Sequence, residues 1–249
     1  MAIFLLKKSY QASNQKEIGF KDLWGSHGVF TTIRLVGKPG KLVLFKSHFN
    51  SLVKSLKRYK IYTKNIEKNI KLLIHSNINK NISYDHLLRV ALTKKIISIS
   101  IRKRLKPKKN FELKIINYKR IDPLTKNLYY KKILKELNKY DPSKIDIALV
   151  YKGKILETCT SNILFFKDNE YFSPKNDCYI GNTIKYLKGK IKISFKDIYY
   201  KDLKQFEEIM LIGSGKGVTP VKYIKVIDWK SKNNFGYKKI NKYLNFKSL

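Results

Sequence analysis

Arginine is scarce in this chain: six of the 54 basic residues, the rest being lysine. Acid is scarce too, with 18 Asp and Glu in 249 residues, which leaves a formal charge of +36. A charge of that size ordinarily points to nucleic acid. Base reading and planar phosphate recognition favour arginine, however, and here lysines run from end to end among Ile, Asn, Tyr and Phe. That distribution is closer to the compositional drift of an AT-rich genome than to a selected binding face. No specific nucleic-acid partner is expected, only weak, salt-sensitive attraction to polyanions.

Cysteine is scarcer still. Cys159 and Cys178 have no CxxC or CxxH spacing, so neither a cysteine-held metal centre nor a disulfide framework is expected, and a reducing compartment fits. Long apolar runs are missing as well. The run before Lys7, Ala2 to Leu6, falls short of a signal segment or a membrane-crossing helix. The expectation is a soluble, cytoplasmic protein without a membrane partner. With 43% apolar and 13% aromatic residues the chain is globular, long enough for one large or two modest domains.

Apolar periodicity sets out the elements. Strands are expected at Ala2 to Leu6, Val29 to Val36, Leu87 to Thr93, Ile96 to Ile101 and Phe111 to Asn117, with amphipathic helices over Ser47 to Tyr59 and Ile66 to Ile74. The basic RKRLKPKK is expected as a solvated hairpin end. These elements make a smaller N-terminal domain, residues 1–118, and 119–124 with Pro123 are the linker to a larger domain, 125–249. In the latter, Ile145 to Tyr151 is a strand, Lys152-Gly153 a tight turn, and a second strand delivers Glu157 before Ile163 to Phe166. A final helix is expected over Tyr237 to Phe246.

Two residues carry chemistry. Lys126 follows a Pro-containing turn and heads a helical pattern of Leu128, Ile133, Leu134 and Leu137. Glu157 sits between two apolar strands, where a buried carboxylate needs a partner, and a protonated heterocyclic nitrogen is one such partner. A lysine amine near such an acid is the arrangement of pyridoxal phosphate chemistry. By themselves the two residues are more simply read as a solvated lysine and a strand-end acid.

The flanking words separate these readings. GKILETCTSNILFF followed by EYFSP resembles the G-x-h-x-E-x-x-x-x-N-h-F … TP segment (h apolar) of the class IV aminotransferase family, the fold-type IV pyridoxal 5'-phosphate (PLP) enzymes. Glu157, Asn162 and Pro174 fall on its acid, Asn and Pro. The resemblance extends in the family's order to GVFTTIR (Gly28 to Arg34), the His48 helix, GNT (Gly181 to Thr183) and GSGKGVTPV (Gly213 to Val221). It implies an α/β fold of two domains with the cofactor between them, and a homodimer acting on a small-molecule amino substrate. It implies Lys126, rather than Lys131 or Lys132, as the lysine bonded to the cofactor, and Glu157 as the partner of the pyridine nitrogen. Asn182 and Thr183, at a helix start whose N–H groups suit a phosphate, and Ser214 would hold the phosphate. Thr32 and Arg34 would face the substrate. The word FTTIR is closest to the 4-amino-4-deoxychorismate lyases of the family, which release pyruvate and form 4-aminobenzoate for folate synthesis. A branched-chain or D-amino-acid aminotransferase and a non-catalytic basic binding protein are the alternatives. Two positions depart from the pattern: Ser51 and Ile184 stand where the family has arginine. Lys216, in the glycine-flanked loop, is the expected substitute cation for the phosphate.

Overall fold

The structure, a computed structural model, describes residues 3–244. The chain divides into two compact units, the first running to Arg104 and taking in Thr125–Lys131, the second made of Leu105–Leu124 and the chain from Lys132 onward.

The first unit is one antiparallel sheet with two helices. Its strands are β1 (Phe4–Gln11), β2 (Glu17–Ile18), β3 (Val29–Gly37), β4 (Lys41–Leu42), β5 (Tyr84–Leu92) and β6 (Ile96–Lys103), in the order β2-β1-β6-β5-β3-β4. Between β4 and β5 come α1 (Phe45–Arg58) and α2 (Ile66–Ser76). Strict alternation along β3 and β5 sends Ile33, Leu35, Leu88, Val90 and Leu92 to one face, where they form a core with Phe49, Leu52 and Leu56 of α1 and Ile66, Ile70 and Ile74 of α2. Each such side chain stabilises by about 1.5–3 kcal/mol on burial. Lys57 and Arg58 complement the C-terminal end of the α1 dipole. The register puts Phe30, Thr32 and Arg34 of β3, Arg89 of β5 and Arg102 of β6 on the opposite face.

In the second unit, β7 (Glu112–Asn117) is followed by α3 (Lys131–Leu137), β8 (Ile145–Tyr151), β9 (Lys154–Thr158), β10 (Asn162–Lys167), β11 (Glu170–Pro174), α4 (Asn182–Lys188), β12 (Ser194–Lys196), β13 (Ile198–Tyr199), β14 (Glu208–Gly213), β15 (Gly217–Pro220), β16 (Tyr223–Ile224), β17 (Trp229–Lys230) and α5 (Phe235–Asn241). Two sheets result, ordered β13-β9-β8-β7-β16-β17 and β12-β11-β10-β14-β15. Side chains from both, among them Leu113, Val150, Phe165, Ile209 and Leu211, form its core together with Phe206 from the connection before β14. The apolar runs of β8, β10 and β14 are buried along nearly their whole length.

Several expectations need correction. The strand Glu112–Asn117 belongs to the second unit, because it pairs in parallel with β8 and not with any strand of the first sheet. The basic RKRLKPKK therefore leads from one sheet to the other and closes no hairpin. Residues 119–124 belong to the second unit up to the crossing into the first at Thr125, and Arg120 among them is buried. Lys126 does not head a helix, since α3 begins only at Lys131. Instead Asn127 bridges Val29, and Phe30 N–H donates to Lys126 O at 2.9 Å. This extended stretch is favoured by Tyr129 and Tyr130, aromatic residues that pack better against a sheet than along a helix. Of the expected first strand Ala2, and of the expected last helix Asn245 and Phe246, lie outside the described residues. Among the described residues no helix is long and apolar enough to cross a membrane, and no group of His, Cys, Asp and Glu could hold a metal ion.

Candidate active site

In the first unit Lys126 is fixed by its backbone rather than by a helix. Its carbonyl and the N–H of Leu128, which donates to Gly28 O at 2.9 Å, knit the segment to the start of β3. Gly28 allows that approach, because a Cβ there would lie 2.6 Å from Leu128 Cδ1, and 2.3 Å from Leu92 O on the neighbouring β5. The ammonium of Lys126 lies 4.9 Å from the centroid of the Phe30 ring. Phe30 meets Tyr130 and Trp24 edge-on, with centroids 5.3 and 4.9 Å apart, and Arg89 lies over Trp24 at 4.2 Å.

The words around β3 take distinct places. Thr31 points to the helical core, where its hydroxyl is 2.9 Å from Nδ1 of buried His48. His48 thus packs against the sheet rather than standing in an open site. Thr32 and Arg34 face the other way. Arg34 is buried and reaches Asp85 at 3.5 Å, a carboxylate that also attracts Arg104 at 3.8 Å. Its Nε has no hydrogen-bond partner, nor has that of Arg89, whose guanidinium pairs with Asp22 at 2.6 Å. Burial lowers the pKa of Arg102, and the neighbouring Arg89 charge lowers it further. Ser51 lies on α1, where its carbonyl accepts a hydrogen bond from Ser55 Oγ at 2.9 Å.

The second unit collects the acid and the two glycine words. Glu157, on β9, is buried and its Oε1 accepts from Arg120 Nε at 2.7 Å, with the two side chains 7% and 2% exposed. Arg120 also donates to Pro123 O at 2.7 Å. Sequence reasoning missed Arg120, although an arginine in so lysine-rich a chain, just ahead of a proline turn, was a usable signal. Asn162 bridges the next two words: its Nδ2 donates to Tyr179 O at 2.6 Å and its Oδ1 accepts from Gly181 N at 2.9 Å. It thereby fixes the entry to α4, where Asn182, Thr183 and Ile184 are all buried. Gly181 and Gly213 are both close approaches, a Cβ at either meeting Asn162 Oδ1 at 2.8 Å or Ser161 Oγ at 3.2 Å respectively. Ser214 follows Gly213 at the end of β14, in the turn to β15. Cys159 and Cys178 are buried thiols; burial raises both pKa values, that of Cys178 to about 12.

Lys216 faces a buried acid. Its ammonium is 3.5 Å from Asp146 Oδ2 and 5.0 Å from the Phe111 ring centroid, with the side chain 10% exposed. A carboxylate with no exposure, as at Asp146, needs a countercharge, and Lys216 supplies it from within the fold.

The family profile described as amino-transferase class IV matches residues 28–224. No curated protein matches the sequence. Among solved structures, a branched-chain aminotransferase of Thermoproteus uzoniensis is similar with a TM-score of 0.78 at 15% identity, covering 98% of this chain and 94% of that one. A Legionella pneumophila protein provisionally described as a 4-amino-4-deoxychorismate lyase gives 0.72 at 16% identity, with 95% and 97% covered. The Escherichia coli branched-chain aminotransferase gives 0.72 at 16%, with 95% and 92% covered.

Proposed function

The chain belongs to the class IV aminotransferases, enzymes that use PLP and act on small amino substrates, and on that premise we propose that it is a 4-amino-4-deoxychorismate lyase. The buried acid of the second unit suits a protonated ring nitrogen of the cofactor. In this reading Glu157, steadied by Arg120, keeps the ring nitrogen charged, while Asn182, Thr183 and Ser214 hold the phosphate. A homodimer in the cytoplasm goes with the same reading. When bound, the cofactor supplies an electron sink that acidifies the C–H beside the substrate amine. The Lys126 amine takes that proton as general base.

One observation carries the choice of lyase. The sheet face that holds Thr32 and Arg34 also holds Arg89 and Arg102, half of the chain's arginines with Arg34 counted. Two of them keep an Nε without a hydrogen-bond partner. Phe30 on that face heads an aromatic cluster with Trp24 and Tyr130. An unsaturated ring with one carboxylate of its own and a second on its enolpyruvyl ether suits such a face better than an aliphatic amino acid does, because guanidinium binds carboxylate in a fork. An aminotransferase for branched-chain or D-amino acids is the second reading; it rests on the family match and uses the same lysine and acid.

The readings part on stoichiometry. With PLP and aminodeoxychorismate, a lyase yields pyruvate with no 2-oxo acid present, and borohydride reduction fixes the cofactor on Lys126. Strict dependence on an added 2-oxo acid overturns the lyase in favour of the aminotransferase. A protein that stays colourless with PLP overturns both and leaves a non-catalytic basic protein.

A further inference from the structure

Asp146, the second residue of β8, is fully buried, yet no part of the proposed chemistry uses it. Its Oδ1 accepts the N–H of Ile147 at 2.8 Å. Its Oδ2 accepts the hydroxyls of Thr158 at 2.8 Å and Thr160 at 2.6 Å, and the same oxygen faces Lys216 at 3.5 Å. These partners come from two different words. Thr158 and Thr160 belong to ETCTSN, directly after Glu157; Lys216 belongs to GSGKG.

Each partner in turn holds its own loop. Thr158 Oγ1 accepts the N–H of Ser161 at 2.8 Å and of Thr160 at 3.3 Å, which closes the turn after β9. Lys216 offers its carbonyl to Thr219 Oγ1 at 3.2 Å, across the β14–β15 turn in which Gly213 pairs with Gly217. The two turns also touch directly, as the tight space at Gly213 beside Ser161 Oγ and Thr160 O records. Asp146 is thus one buried anion to which both are tied, and a charge-assisted hydrogen bond is the stronger and more directional kind.

We propose that Asp146, through Lys216, is a positioning residue that sets the GSGKG turn for the cofactor phosphate, so that Lys216 acts on the phosphate from behind the loop instead of touching it. The inference rests on the PLP reading above. It differs from the simpler idea of Lys216 as a phosphate cation, because it makes Asp146 and Lys216 one unit and restricts their effect to the phosphate end of the ligand.

The test measures dissociation constants of the cofactor-free protein for PLP and for pyridoxal, which lacks the phosphate. Asp146→Asn and Lys216→Met are each expected to weaken PLP about tenfold, the effect of one charge-assisted hydrogen bond, and to leave pyridoxal within about twofold. The double variant should be no weaker than the worse single one, since the two residues act together. Where Asp146→Asn does not fold, Lys216→Met alone carries the comparison. Equal loss for both ligands would show general loosening and overturn the proposal, as would unchanged PLP affinity in a folded Lys216→Met. Additive losses would point to Lys216 touching the phosphate itself and overturn it too. A wild-type protein that binds neither ligand removes the PLP reading and this inference with it, whereas wild-type binding with unshifted variants removes only the inference.

Discussion

At the scale of single residues, the Arg120–Glu157 pair illustrates how a buried charge is more costly to strand than to keep. Both side chains are almost fully out of solvent and 2.7 Å apart, so their attraction is set against a large desolvation cost and the pair as a whole contributes little. Removing one partner is another matter. Arg120→Met leaves the Glu157 carboxylate buried beside an apolar side chain, and a loss of about 3–5 kcal/mol is expected, read as a lower urea midpoint with an unchanged slope. Adding Glu157→Gln to Arg120→Met should recover part of that loss. A single-variant loss below about 1 kcal/mol would mean that water reaches the acid. Glu157 itself was legible in the sequence, because an acid between apolar strands in a recognisable word can be picked out from a row of letters. Arg120 and Asp146 were harder to see. Their partners lie 37 and up to 70 positions away, and no local period relates them.

At the scale of elements, alternation and helical period placed most strands and both helices of the first unit to within a few residues. They failed where tertiary pairing outweighed local pattern. Ile133 and Leu137 are four apart and helical, but Leu128 lies five positions before Ile133, and the stretch around Lys126 is held to Gly28 and Phe30 by backbone bonds instead. The short α5 shows a different kind of control. Glu208, at the start of β14 and buried, accepts the N–H groups of Gly236 at 2.8 Å and Tyr237 at 2.9 Å with its two carboxylate oxygens, fastening the helix start. Burial raises its pKa above the ordinary 4.5, against the pull of those N–H groups. The folded state therefore binds this proton more tightly than the unfolded chain does. The stabilising share is fully present below about pH 4.5 and is lost as pH rises through the folded pKa. Glu208→Gln removes that titration. The stability difference, wild type minus variant, should fall between pH 4.5 and neutrality in urea titrations. A difference that rises over that range would mean the N–H groups dominate and the pKa lies below its ordinary value.

At the scale of the whole molecule, charge is the property that every residue count announces and no single contact explains. Surface pairs such as the exposed Lys8–Glu17 at 2.9 Å and the partly exposed Lys154–Asp197 at 2.6 Å are real, but each is worth only about 0–1 kcal/mol, and salt weakens them. Against them stand 54 basic residues with 18 acids to oppose them. Most of the excess is lysine on the surface, and its mutual repulsion is also screened by salt. The two effects have opposite signs, so the salt dependence of stability decides which is larger. With a formal charge of +36, repulsion should dominate. Raising ionic strength from about 0.01 M to about 0.1 M shortens the screening length from about 30 Å to about 10 Å. The melting temperature should rise by about 2–4 °C for each kcal/mol of repulsion relieved. Calorimetry in sodium chloride checks this, with the cofactor-free protein used at both salt levels so that ligand binding does not contribute. A melting temperature that falls as salt is added would mean that the few acids are placed to form stabilising networks, and that the lysine excess costs the fold little.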